Sequence, residues 1–167
     1  GSHDVMLVST SSKTIRFKEV DVRPMGRTAR GVRGIKMGGE FRMIALIIPQ
    51  DNRQILTVSE NGYGKRTQVE DFPVYGRGGQ GVIGIQTNDR NGGVVGAVQV
   101  SDADEIMLIS NKGTLVRTRV KEVSVQGRNT MGVRLIRLKE GEKLVGLEQV
   151  DEPPGEESDL TSSEEIK

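Results

Sequence analysis

The sequence predicts an all-β, propeller-like protein of three consecutive blades, each built from four short antiparallel strands. Three observations lead there. One segment recurs three times at spacings of 50 and 51 residues, each copy alternates short apolar runs with turn residues, and no stretch has helical periodicity. Laid down without gaps, Ile106 to Leu138 matches the stretches that begin at Val5 and Ile55. Seven columns are identical: Ser9, Ser59 and Ser110; Arg16, Arg66 and Arg117; Gly26, Gly76 and Gly127; Arg27, Arg77 and Arg128; Gly31, Gly81 and Gly132; Val32, Val82 and Val133; Ile35, Ile85 and Ile136.

Each repeat opens on a short apolar strand, such as Val5 to Val8, that ends at the serine column. A turn follows, Asn61-Gly62 in the second repeat and Asn111-Lys112-Gly113 in the third, which is hairpin chemistry. The next strand alternates. Ile15 and Phe17 share one face and Arg16 and Lys18 the other, as do Val116, Thr118 and Val120 against Arg117 and Arg119. An irregular loop then ends at the Gly-Arg column. A third strand begins at Gly31-Val32, Gly81-Val82 and Gly132-Val133, and a fourth at Met43, Val94 and Leu144. Pro49-Gln50-Asp51-Asn52 and Ser101-Asp102-Ala103-Asp104 punctuate the seams, giving units 5–50, 51–101 and 102–150. Residues 1–4 are a linker or cloning scar, because Gly1-Ser2-His3 fits either. Low aromatic content (3%) and 22 glycines suit thin blades better than one thick sandwich.

Composition narrows the partner. The net charge is only +1, yet residues 151–167 hold seven acids and one base, leaving +7 on residues 1–150. A basic body with an acidic, Pro- and Ser-containing tail points to a polyanionic partner and a disordered end. Cysteine is absent, which suits a reducing compartment. No apolar run approaches the roughly 18 residues of a membrane span, so the expectation is a soluble, intracellular protein with no membrane partner. His3 stands alone, so no metal site is expected. Neither a Ser-His-Asp set nor a phosphate-binding GxxxxGK[ST] loop is present, so the chain is not expected to be catalytic by itself.

Four strings carry a family resemblance: NGYGKRT at Asn61–Thr67, RNGGVVGAVQV at Arg90–Val100, GTLVRTRV at Gly113–Val120 and GRNTMGV at Gly127–Val133. Together they resemble the C-terminal domain of DNA gyrase A, over essentially all of Val5 to Val150. The resemblance implies a six-bladed β-pinwheel whose blades exchange strands, of which three repeats and an acidic tail make the C-terminal half. It also implies wrapping of duplex DNA on a basic rim, in support of ATP-dependent negative supercoiling by a type II topoisomerase, an isomerase. Further implied are a bacterial, nucleoid-associated cytoplasmic setting, and as partners the remainder of the gyrase A polypeptide and gyrase B. ATP and Mg2+ would be bound elsewhere in the whole enzyme, with no cofactor in this chain. The family's box motif QRRGGKG is degenerate here. Tyr75-Gly76-Arg77-Gly78-Gly79-Gln80-Gly81 keeps four of seven positions, and the heptad from Gln126 to Gly132 keeps fewer.

Candidate DNA contacts are the outward cations of the repeats: Lys13, Arg16 and Lys18; Lys65 and Arg66; Lys112, Arg117 and Arg119; and the loop cations Arg27, Arg30, Arg77 and Arg128. An arginine at the same place in each blade would give an evenly spaced line of charge that a bent duplex could follow without base readout. The competing reading makes Arg16, Arg66 and Arg117 a solubilising strand face, paired with Asp21, Asp71 and Glu122, and has the loop arginines bond carbonyls at the blade edge. Glycines 31, 81 and 132 read as a tight strand entry. Two other functions fit the repeat: the equivalent domain of topoisomerase IV, and a propeller used for protein docking. Three blades also leave open ends, so a homodimer of the chain is an expected assembly.

Overall fold

The computed structural model describes residues 3–18, 42–74 and 81–150. Among the candidates, Arg27, Arg30 and Arg77 lie outside these residues, as do the first repeat's third strand, the Tyr75–Gln80 part of the box-like heptad and the acidic tail.

Three sheets follow one another along the chain. The first repeat supplies β1 (Asp4–Ser9), β2 (Lys13–Lys18) and β3 (Met43–Ile47). The second supplies β4 (Gln54–Ser59), β5 (Tyr63–Gln68), β6 (Val82–Ile83) and β7 (Val94–Val100). The third supplies β8 (Glu105–Ser110), β9 (Leu115–Arg119), β10 (Val133–Arg134) and β11 (Leu144–Val150). Helical structure among the described residues is confined to two single turns, Val69–Asp71 and Val120–Glu122.

Strand order departs from a simple blade. The sheets run β3-β1-β2-β6, β10-β5-β4-β7 and β11-β8-β9. The short third strand of the second and third repeats therefore completes the sheet of the preceding one. β6 pairs antiparallel with β2 and β10 with β5, which is the strand exchange the resemblance implies. The glycine column explains the crossing. Gly81 and Gly132 have φ of 78° and 79°, and a Cβ on either would lie 2.5 Å from a carbonyl oxygen of the receiving strand, Thr14 or Gly64. Only glycine combines that backbone conformation with so close an approach.

Apolar packing lies between blades. In β1, Met6 and Val8 join Ile55, Val69 and Phe72 of the second repeat, while Leu7 packs with Ile15 and Phe17 on the opposite face. β4 is the middle of the stack. Ile55 faces the first blade, and Leu56 and Val58 face Ile106, Leu108, Val120 and Val123 of the third. β1 and β4 are buried on both faces. Burial alternates along β8 and β9 instead, although Ile106-Met107-Leu108-Ile109 is itself a continuous apolar run, because their far side meets no blade among the described residues. Fully burying such a side chain is worth roughly 1.5–3 kcal/mol, so the two inter-blade seams dominate stability. The serine column sits at the strand end, where β1, β4 and β8 each slip register against their neighbours.

Candidate nucleic-acid interface

Two members of the arginine column, Arg16 and Arg66, prove to be seam ties. Arg16 in β2 donates to the carbonyls of Val69 (2.9 Å) and Phe72 (3.2 Å) in the next repeat and to Asp4 on the neighbouring strand. Arg66 repeats the pattern, donating to the carbonyl of Val123 at 2.7 Å and pairing with Asp102 of the linker. Parallel bridges Arg16–Val74 and Arg66–Val125 run alongside. Their side chains are only 13% and 7% exposed. The outward placement expected for Arg16 and Arg66 is thus corrected, because a guanidinium's fixed donors reach carbonyls of the following blade in the seam. Of the pairings expected with Asp21, Asp71 and Glu122, the first lies outside the described residues, and the other two are corrected, since Arg66 pairs with Asp102 and Arg117 with Glu105. The acidic partners observed are Asp4, Asp102 and, for Arg117, Glu105 at 2.6 Å.

Lys65 is also turned inward. It occupies the column of Ile15 and Val116 and is 0% exposed. Its Nζ donates to the carbonyls of Gly127 (2.5 Å), Arg128 (2.9 Å) and Thr130 (3.0 Å). Burial, then the Arg128 charge, lowers its pKa to about 8. Arg128 donates to the carbonyls of Asp71 (2.9 Å) and Ile83 (3.2 Å), so this loop arginine also braces a seam.

The other candidates scatter. Lys18 is exposed at the end of β2 and Lys13 is half-buried at its start. Arg119 is exposed beside Asp102, Asp104 and Glu105, whose carboxylates offset its charge. Arg117 is 41% exposed and held by Glu105. Lys112 is exposed and donates to the Glu140 carbonyl at 3.0 Å.

A concentration of positive charge does exist, away from the seven identical columns. Where the β4–β5 turn meets the loops before and after β11's entry, a groove of about 470 Å³ is lined by Arg90, Arg134, Arg137, Lys139 and Lys143, with Asn61 and Tyr63 between them. All five cations are exposed. Arg134 donates to the Tyr63 hydroxyl at 3.0 Å and its guanidinium carbon lies 5.3 Å from that ring's centroid. Lys143 donates to Asn61 Oδ1 at 3.1 Å. Both contacts fix cations that would otherwise swing freely, which lowers the entropy lost on binding. One carboxylate lines the groove, Glu142, and it is occupied. It accepts from the Lys139 amide and from the Ser110 and Thr114 hydroxyls, and these bonds lower its pKa to about 2. Lys143 also pairs loosely with Glu60 at 3.9 Å, and five convergent cations against these two engaged carboxylates make a surface that attracts phosphate.

Comparison with known proteins agrees with this architecture. The family model for the DNA gyrase C-terminal domain, beta-propeller, matches residues 3–48, 53–101 and 104–151. The DNA gyrase A protein of Pseudomonas aeruginosa is 57% identical over 166 residues, covering 99% of this chain and 18% of that protein. Its Escherichia coli counterpart is 54% identical over 157 residues, covering 94% of this chain and 18% of its own. Of solved structures, a DNA gyrase A C-terminal domain superposes with a TM-score of 0.75 at 27% identity, over 90% of this chain and 51% of that one. The C-terminal domain of DNA topoisomerase IV gives 0.78 at 17% identity over 99% and 52%, a likeness of fold. The chain thus spans 18% of the length of these curated relatives and about half of the solved domains.

Proposed function

The chain belongs to the family of DNA gyrase C-terminal, beta-propeller domains, and on that premise we propose that it binds duplex DNA without sequence preference and guides it around the blades. The observation that carries this reading is the groove, with Arg90, Arg134, Arg137, Lys139 and Lys143 converging on one concave surface. Guanidinium and ammonium groups meet phosphate oxygens through charge and position, so such a surface holds any sequence. In the whole protein the bent duplex would be presented for strand passage, supporting ATP-dependent negative supercoiling carried out with the rest of gyrase A and with gyrase B. Catalysis, ATP and Mg2+ belong to those other parts.

Duplex binding measured across salt concentrations tests the reading. If each groove cation neutralises about one phosphate, log affinity falls against log salt with a slope of roughly −4 to −5. Little affinity with a slope near zero would point instead to a protein-docking scaffold, and a strong preference for one sequence over its scramble would contradict the absence of base readout.

A further inference from the structure

The loop Gly127-Arg128-Asn129-Thr130-Met131 is shaped from within by Lys65. Three of its carbonyls, those of Gly127, Arg128 and Thr130, turn inward onto the buried ammonium, and the Thr130 hydroxyl accepts from it as well at 3.1 Å. A trans peptide is planar, with its C=O and N–H pointing opposite ways. The peptides here are trans. Turning those carbonyls inward therefore turns the N–H groups of Arg128, Asn129 and Met131 outward. None of the three has a hydrogen-bond partner among the described residues. Asn129 and Thr130 are exposed, and the space beside Gly127 is open. The loop is also pinned at both ends, by Gln126 N–H on the Arg66 carbonyl (2.8 Å) and Gln86 N–H on the Thr130 carbonyl (2.9 Å).

We propose that this loop is a second phosphate site, a backbone nest that Lys65 holds open and that takes one phosphodiester group of duplex DNA. Outward amides supply the donors, and the ammonium beneath them adds a charge of the right sign from the far side of the same peptides. No loop side chain is needed for recognition, so the site is blind to sequence. Lys65 acts as a positioning residue, since its ammonium is spent on carbonyls and never reaches the ligand. A lysine at this position makes physical sense for such a role. The flanking repeats fill the same column with Ile15 and Val116, so packing alone asks only for an apolar side chain. Burial holds its ammonium down to about 8, a penalty that a nearby anion would relieve. The proposal rests on the DNA reading above and deepens it.

Backbone amide NMR of the full chain, titrated separately with a short arbitrary duplex and with inorganic phosphate, tests it. With duplex, the amides of Arg128, Asn129 and Met131 are expected to shift and saturate together with those of the groove. Lys65→Met should abolish the loop shifts, keep the groove shifts and weaken duplex binding roughly 10- to 100-fold, the loss of about one hydrogen bond to a charged group. Asn129→Pro, which deletes one outward N–H and leaves Lys65 in place, should weaken it in the same direction and covers the case in which Lys65→Met fails to fold. Groove shifts without loop shifts would overturn the loop site and leave the DNA reading standing. Silence in both would overturn both. Loop shifts with inorganic phosphate but none with duplex would overturn the assignment to DNA.

Discussion

At the scale of single residues, identical position in the repeat does not mean identical exposure. Arg16 and Arg66 each find carbonyls of a following blade, whereas Arg117 meets Glu105 on its own sheet. Arg66→Ala leaves seam carbonyls buried without a donor and should cost about 2–4 kcal/mol in denaturant unfolding. Arg117→Ala, at an exposed pair, should cost under about 1 kcal/mol. Equal losses at the two sites would contradict the seam role. Glu142 supplies a pH signature. Its bonds to the Lys139 amide and the Ser110 and Thr114 hydroxyls lower its pKa from the usual 4.5 to about 2. A depressed carboxylate contributes stability that is fully present above its unfolded pKa and is lost as pH falls through the folded value. The melting temperature should therefore decline between about pH 4.5 and 2, and Glu142→Gln should flatten that part of the profile. An unchanged profile in the variant would remove Glu142 from the account.

At the scale of strands and loops, the sequence is informative wherever a requirement repeats. The serine column, the hairpin turns and the glycine entry are legible because each seam needs the same strand end, turn and close backbone approach. Thus Gly81 and Gly132 stand against Thr14 and Gly64 in the same way. The destination of an exchanged strand is not legible from alternation, since a two-residue strand such as Val82–Ile83 carries no period; only the family resemblance implies it. Alternation misplaces Arg16 and Arg66 for a related reason. It assigns Arg16 to the face opposite Ile15 and Phe17, and Arg66 to the matching face of β5, but that face is the one packed against the following blade and not a watery one. The groove escapes the identical columns because its cations are not shared by all three repeats. The first repeat carries Arg33, Lys36 and Arg42 in the columns of Arg134, Arg137 and Lys143, whereas the second carries none of them. Arg134 corresponds to Ile83, Lys139 to Asn88 and Lys143 to Gly92. Repetition selects what every seam needs, while a binding surface on one seam goes unmarked. Its signal is the local density of Arg134, Arg137, Lys139 and Lys143 between Met131 and Leu144.

At the scale of the whole molecule, stacking leaves one described edge unfilled. The third sheet has three strands where the others have four, and Leu115 on its edge strand is 62% exposed. An edge that lacks only an exchanged strand fits another repeat of the same kind. In a solution of this chain alone that repeat comes from a second copy, so sedimentation should show mass rising with concentration over roughly a hundredfold range. A single species of monomer mass throughout would mean the edge stands uncovered. DNA affinity belongs to this scale too, because it sums over cations from several loops. The central claim is that DNA is held by the groove and not by the repeated arginines. It is tested most directly by comparing the salt dependence of duplex binding for the native chain and an Arg137→Gln, Lys139→Gln, Lys143→Gln variant. The account predicts a slope shallower by about 2 to 3 with the cooperative melt retained; an unchanged slope in a folded variant would contradict it.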